Sequence, residues 1–283
     1  MSPKQVVAKL NKLRPVPVAC LKILKLLEQK ELKDEGIIEC LNSDPALTAK
    51  VLQACNSPLY GFNGSIVSVE QAVLVLGRDL IVPIALTMSL REMMAVPMPA
   101  YGFEANELWR HSLATAVVAE TFANEPYFVG METSTAFAAG LLHDIGKVAF
   151  AHAVEPDVLN AVRKQITENG LSLIEAESVA LGTDHAEVGG YLAEEWNMPA
   201  QIVEAVANHH QPVVKPVIQL SALTCLSDSL VHLAGSSPGW DSYALKVDPE
   251  LGKALQLTAE RVDLMLIRAR ESFVRIERYI NVP

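Results

Sequence analysis

A chain of 283 residues, half of them apolar and 20% charged, is long enough for one large core or two cores side by side. Its formal net charge of −10, with no basic cluster longer than two or three residues, argues against a nucleic-acid partner. No apolar run has the length of a membrane helix, the N-terminus lacks the apolar core of a signal peptide, and Cys20, Cys40, Cys55 and Cys225 have neither paired nor metal-knuckle spacing, which together predict a cytoplasmic protein with reduced core thiols.

Nearly the whole chain reads as helix, so the predicted fold class is all-α; no segment alternates with period two for long and no Asn-Gly hairpin occurs. Helices over roughly 3–12 and 16–29 flank Leu13-Arg-Pro-Val-Pro-Val18, whose prolines force an extended turn. A short helix follows from Gly36 to Asn42. Asp44 and Pro45 supply the cap and first position of the next, with Leu47, Val51 and Cys55 on one stripe and Asn56-Ser-Pro58 as its stop. Ser68-Val-Glu-Gln71 is a capping-box start, closed by Gly77. Residues 80–94 form a nearly all-apolar helix with Pro83 in its first turn, suited to burial between neighbours. Residues 95–104 break helix twice and read as a linker, so that a helical subdomain over 1–98 precedes a second unit over 99–234.

The second unit opens with a helix from about 105 to 123, carrying Glu107 and His111 one turn apart. A helix from about 133 to 143 delivers His143-Asp144, and a short one covers about 147–152. Gly170 separates helices over 155–169 and 172–181. Thr183-Asp184 cap a helix that begins at once with His185, and its Gly189-Gly190 pair predicts a closely approaching neighbour. A helix opened by Pro199 ends at His209-His210, and one from about 216 to 233 carries Asp228. The remainder, 235–283, is a loop followed by a helix over about 259–280. Its stripe of Val262, Leu266, Ala269, Phe273, Ile276 and Ile280 suits either a homodimer seam or packing on its own domain.

The chemistry concentrates where the apolar run Phe137–Leu142 gives way to His143-Asp144. Two adjacent groups that both want water need a partner at the end of an apolar helix. A neutral imidazole beside a carboxylate offers lone pairs to one cation. Gly146 lets the backbone turn sharply, and Lys147 places a compact positive charge suited to an anionic substrate. The candidate ligands are His111, His143, Asp144, His185, His209, His210 and Asp228, with Glu107 one turn before His111. A helix bundle can point such a set inward to hold two metals, and the two oxygens of Asp144 can bridge them. Imidazole and carboxylate without thiolate suit iron, manganese or zinc. The competing readings are a polar network without metal, a C-terminal helix cap at His209-His210, and an exposed Glu107 paired with Arg110 or His111. His152 and His232 read as ordinary polar residues.

Leu142-His-Asp-Ile-Gly-Lys147 resembles the HD superfamily of metal-dependent phosphohydrolases. Arg14-Pro-Val-Pro17, Ser43-Asp-Pro-Ala-Leu-Thr-Ala-Lys50, Asn56-Ser-Pro-Leu-Tyr-Gly61, Ser68-Val-Glu-Gln-Ala72, Leu76-Gly77, His185-Ala-Glu-Val-Gly189 and Trp196-Asn-Met-Pro199 resemble the HDOD (HD-related output domain) branch, over roughly residues 13–212. The resemblance implies an all-helical regulatory module in which an N-terminal helical subdomain packs on an HD-type domain. The ligand order is similar to that of the HD-GYP phosphodiesterases, which hydrolyse cyclic di-GMP at a di- or tri-iron centre. By that comparison His111, His143, Asp144, His185, His209, His210 and Asp228 are ligands, Glu107 serves a third ion, and Lys147 lies near the substrate phosphate. One to three divalent cations are implied, iron first. After His210 the chain reads Gln211-Pro-Val-Val-Lys-Pro216, without the Gly-Tyr-Pro motif, which speaks against cyclic di-GMP as substrate. Two expectations stand. One is a cytoplasmic signalling module that binds a protein partner or a small anionic phosphoester. The other is a phosphohydrolase in which cations acidify a water, Asp144 is catalytic and Lys147 steadies the phosphate.

Overall fold

The computed structural model describes all residues except 11–15, 30–31, 58–64, 129, 212–218, 236–238, 243–248 and 281–283, and among the described residues it contains sixteen α-helices and no strand. The first group is α1 (Pro3–Val7), α2 (Val18–Leu26), α3 (Asp34–Asn42), α4 (Pro45–Cys55), α5 (Val69–Leu76) and α6 (Arg78–Met94). The second is α7 (Glu107–Phe122), α8 (Thr133–Leu142), α9 (Ile145–Ala153), α10 (Pro156–Asn169), α11 (Leu173–Leu181), α12 (His185–Glu195), α13 (Ala200–Asn208) and α14 (Leu220–Leu233). Two more, α15 (Pro249–Ala254) and α16 (Ala259–Ile280), end the chain. Parts of three sequence features lie outside the described residues: Leu13–Pro15 of the proline turn, Pro58–Gly61, and Pro212–Pro216 after the His-His pair.

Local capping chemistry sets several helix starts. Asp44 accepts from Leu47 N at 3.0 Å, Ser68 from Gln71 N at 3.2 Å, and Asp184 from Glu187 N at 2.9 Å, each satisfying an N–H that the first helical turn leaves unpaired. Two expectations needed correction. Helix α6 starts at Arg78, so Pro83 sits in its second turn and removes a bond to Asp79 rather than occupying the first turn. Helix α1 ends at Val7, short of the predicted residue 12, and it packs against α9 and α12 of the second group of helices. Its fully buried Val6 makes that seam, and the Met1 ammonium donates to Leu181 O.

Helix α6 joins the two groups, packing against α2, α4 and α5 and also against α7 and α8. That double contact explains its burial from Ile81 through Met88 and why its sequence is apolar all round. Helix α16 packs back on α7 and α14 through Met265, Ala269 and Ser272, with Ser272 Oγ 3.0 Å from Thr121 Oγ1. The stripe read from the sequence meets this face at Ala269, while Val262 and Leu266 flank it half-buried; the side chains of Phe273, Ile276 and Ile280 are outside the described set. All four cysteines are buried without a disulfide, and burial pushes the Cys20 thiol up to about 12 and that of Cys55 to about 11. No described helix is long and apolar enough to cross a membrane.

Candidate metal centre

Helices α7 and α8 pack unusually closely, because small residues face each other. A Cβ on Gly140 would lie 2.7 Å from Ala116 Cα. Every residue of α8 after Thr133 is buried, so the helix carries its last turn into the core and ends there at His143, with Asp144 opening α9. Helix α7 brings His111 from one side and α14 brings Asp228 from the other. Helix α12 starts with His185, and α13 ends at His209 and His210. The close seam between α9 and α12 also rests on glycine: a Cβ on Gly146 would lie 1.9 Å from His185 O. Gly146 itself is helical and adopts no positive φ, so its role is this contact and not the sharp turn expected from sequence. Gly189 and Gly190 do mark close approaches, with a Cβ on Gly190 2.5 Å from Ala207 Cβ.

The seven histidine and aspartate candidates converge. Asp144 lies between two groups of imidazoles and turns one oxygen to each. Its Oδ2 is 3.3 Å from His143 Nε2 and 3.6 Å from His111 Nε2; its Oδ1 is 3.4 Å from His185 Nε2 and 3.8 Å from His209 Nε2. Asp228 Oδ1 is 3.0 Å from His111 Nε2 and 3.6 Å from His143 Nε2. His210 Nε2 faces His185 Nε2 at 2.9 Å. Lys147 Nζ is 2.7 Å from Asp144 Oδ2, inside the cluster. Glu107 is not brought in: its carboxylate accepts from Glu104 N at 2.7 Å and closes the turn that enters α7. Three residues were not recognised in the sequence. His232 Nε2 stands 3.2 Å from Asp228 Oδ1, and Glu177 and Tyr101 support His185 from behind.

The donors fit a metal. His143 Nδ1 donates to Gly140 O at 2.8 Å, His209 Nδ1 to Val206 O at 2.7 Å, and His185 Nδ1 to Glu177 Oε2 at 2.7 Å. Each bond holds one tautomer and leaves the Nε2 lone pair for the interior, the arrangement by which outer groups orient metal-binding histidines. Inside, His143 Nε2, His209 Nε2, Asp144 Oδ1 and Asp228 Oδ1 are buried with no hydrogen-bond partner. Such groups carry a desolvation cost of about 1–3 kcal/mol each, which a cation among them offsets. Buried groups drawn from His111, His143 and Asp144, from His185, His209 and His210, and from His111, Asp228 and His232 could each bind a divalent metal.

Electrostatics without a cation follow from the same packing. For His143, burial is the largest influence and disfavours charge, but Asp144 and Asp228 outweigh it and push the imidazole up to about 10. Burial also acts against the Asp144 carboxylate, yet His143, Lys147 and His185 hold it well below the usual range. Asp228 is held down similarly, against burial, by His232, His111 and His143. Burial, then His143 and His185, lower His209 to about 3, so it offers a lone pair at any ordinary pH. The raised His143 value gives a pH dependence. Its contribution to folding is complete below the unfolded value of 6.5 and is lost as pH rises toward about 10. Chelator-treated protein should therefore lose stability across that window, by up to roughly 1.4 kcal/mol per pH unit. Protein loaded with a divalent cation should show a flatter slope, because ligation has already displaced the proton. Urea denaturation from pH 6.5 to 10, with and without metal, checks this; identical slopes would contradict it.

Glu177 is fully buried and accepts three hydrogen bonds, from Tyr101 Oη at 2.8 Å, His185 N at 2.8 Å and His185 Nδ1 at 2.7 Å. Glu177→Gln should lower metal affinity by about 10–100-fold, the usual cost of removing such a support. Tyr101→Phe, which leaves the carboxylate on His185, should cost less. Chelator competition measures both, and an unaltered affinity in Glu177→Gln would rule out the orienting role.

The HDOD domain pattern matches residues 13–212 of the chain. The chain belongs to the HDOD family. Among solved structures, an HDOD domain protein of unknown function from Geobacter sulfurreducens is similar at 24% identity, covering 99% of this chain and 96% of that one, with a TM-score of 0.74. A candidate signal transduction protein from Marinobacter aquaeolei VT8 is similar at 23% identity over 95% of this chain and 58% of its own, with a TM-score of 0.76. At these identities the likeness concerns the fold. By sequence, Ribonuclease Y of Lawsonia intracellularis is 32% identical over 130 residues, 46% of this HDOD chain and 18% of that enzyme. An uncharacterised Treponema pallidum protein is 23% identical over 195 residues, 69% of this chain and 37% of its own length. The HDOD chain thus spans well under two thirds of these curated relatives.

Proposed function

We propose that this HDOD protein is a signalling module of the bacterial cytoplasm. It keeps an HD-type metal centre, dinuclear and preferentially holding iron, with manganese or zinc as alternatives. In this reading the metal holds or reports the arrangement of α7, α8, α12, α13 and α14, and output passes through binding of a signalling protein or a small anionic phosphoester. The observation that carries the reading is burial. His111, His143, Asp144, His185, His209 and Asp228 are at most 5% exposed, and Lys147 only 2%. Hydrolysis of a phosphoester at the metals needs an open coordination side and a cation facing it, whereas Lys147 is bonded to Asp144 within the core. The fold alone does not choose, since it also occurs in a candidate phosphohydrolase from Shewanella amazonensis SB2B, at 20% identity and a TM-score of 0.62.

The second reading, a metal-dependent phosphohydrolase, is favoured by one observation: Lys147 touches Asp144 within an imidazole and carboxylate cluster that could hold metal. Bound divalent cations would there polarise a phosphoryl oxygen and acidify a water. The chain's own part would be Asp144 holding the two halves of the site together and Lys147 steadying phosphate charge. Elemental analysis followed by a phosphodiester panel tests the choice. Metal-loaded protein inert on every substrate supports the module. Turnover that vanishes in Asp144→Ala supports the hydrolase and overturns the first reading. Absence of any bound metal after loading overturns both.

A further inference from the structure

We propose that His232 is itself a metal donor, completing with His111 and Asp228 a set of two imidazoles and one carboxylate at the α14 edge of the centre. The proposal rests on the metal-centre reading above. Asp228 and His232 lie one turn apart on α14, the i, i+4 spacing by which a helix offers two side chains to one ion. His232 Nε2 is 3.2 Å from Asp228 Oδ1, and its ring centroid is 4.7 Å from that of His111. One ligand atom from each of the three lies within 4.8 Å of the others.

Asp228 Oδ1 therefore faces three Nε2 atoms, of His111 at 3.0 Å, His232 at 3.2 Å and His143 at 3.6 Å, yet it has no hydrogen-bond partner. The carboxylate is 5% exposed and cannot turn to water instead. A carboxylate oxygen with three imidazole nitrogens around it is well placed to share a cation with them. Glu107, which the HD-GYP comparison puts at a third ion, accepts from Glu104 N at 2.7 Å and belongs to none of the close donor groups among the described residues, whereas Asp228 and His232 of α14 are grouped with His111. Two imidazoles with one carboxylate select Fe²⁺, Mn²⁺ or Zn²⁺ over Mg²⁺ and Ca²⁺, which prefer oxygen.

The competing role for His232 is to orient Asp228 by a hydrogen bond. His232→Gln keeps an N–H for Asp228 but is a poor metal donor; His232→Leu removes both capacities. The experiment loads the full chain with Mn²⁺ or Zn²⁺, measures stoichiometry and chelator-competition affinity in wild type and both variants, and locates ions in wild-type crystals by anomalous diffraction. The expected result is a loss of affinity for one ion beyond the roughly 100-fold at which removal of a supporting group tops out, in both variants. An anomalous peak should lie about 2.0–2.3 Å from His232 Nε2. Wild-type affinity in His232→Gln, or ions that all lie out of reach of His232, would overturn the proposal while leaving the metal centre standing. A wild-type chain that takes up no divalent ion would overturn both together.

Discussion

Asp144→Asn is expected to empty the whole centre, not one half of it, and to weaken the fold even when no metal is present. The carboxylate faces His111 and His143 with Oδ2 and His185 and His209 with Oδ1, so both groups of donors lose their common anion at once. The metal-free protein suffers for a separate reason. Lys147 is 2% exposed and its Nζ sits 2.7 Å from Asp144 Oδ2. Breaking a buried pair from one side leaves an uncompensated charge, which typically costs about 3–5 kcal/mol. Adding Lys147→Met should return most of that stability and none of the metal binding, since the charge goes but the bridge stays broken. Urea denaturation of chelator-treated single and double variants, with elemental analysis of loaded protein, separates the effects. A single variant that keeps wild-type metal content would refute the place of Asp144 between the two donor groups, and a double variant no more stable than the single would refute the buried-charge account.

Gly146→Ala is expected to be about as damaging, although it removes nothing. The added Cβ would lie 1.9 Å from His185 O and 2.8 Å from Gly189 N, both backbone atoms that no rotamer change can move. Overpacking a core costs roughly 1–3 kcal/mol where side chains can adjust; here α9 and α12 must separate, so the cost should reach the top of that range, ~3 kcal/mol or more. Because Asp144 precedes α9 and His185 opens α12, the separation falls between the Asp144 carboxylate and the His185 imidazole that faces it at 3.4 Å. Metal affinity on the His185 side should therefore drop more than on the His111 side. Gly252→Ala makes the control: it is helical with nothing within 4 Å of its Cβ position, and the change should be neutral or stabilise by up to about 1 kcal/mol. Equal stability of the two alanine variants would show that the close seam carries no energy.

The residues that could be recognised in advance share one property: their signals are local. Asp44, Ser68 and Asp184 announce helix starts because a cap bonds an N–H two or three residues away. His143-Asp144 stood out because two polar groups end an apolar helix, and the other histidines because few occur and they cluster at helix ends. Glu177 gave no such sign. A glutamate in a helix reads as a surface charge until the fold puts it behind His185 and under Tyr101, which comes from the linker 76 residues earlier in the chain. His232 did carry a signal, its i, i+4 spacing from Asp228, but a lone helical histidine has too many ordinary roles for that spacing to decide. Glu107 shows the reverse case. One turn before His111 it shares a helix face with a candidate ligand, yet its carboxylate accepts from the backbone N–H of Glu104.

Residue identity and short-range pattern thus determined the all-helical class, most helix starts and the kinds of donor atom available, because capping and periodicity act over a few residues. Tertiary packing alone decided that Gly146 serves a backbone contact, that α1 crosses to α9 and α12, and that Asp144 turns one oxygen to each group of imidazoles. These depend on how closely α7 meets α8 and α9 meets α12, and that distance is set by small residues far apart in sequence whose facing surfaces exist only once the helices are packed.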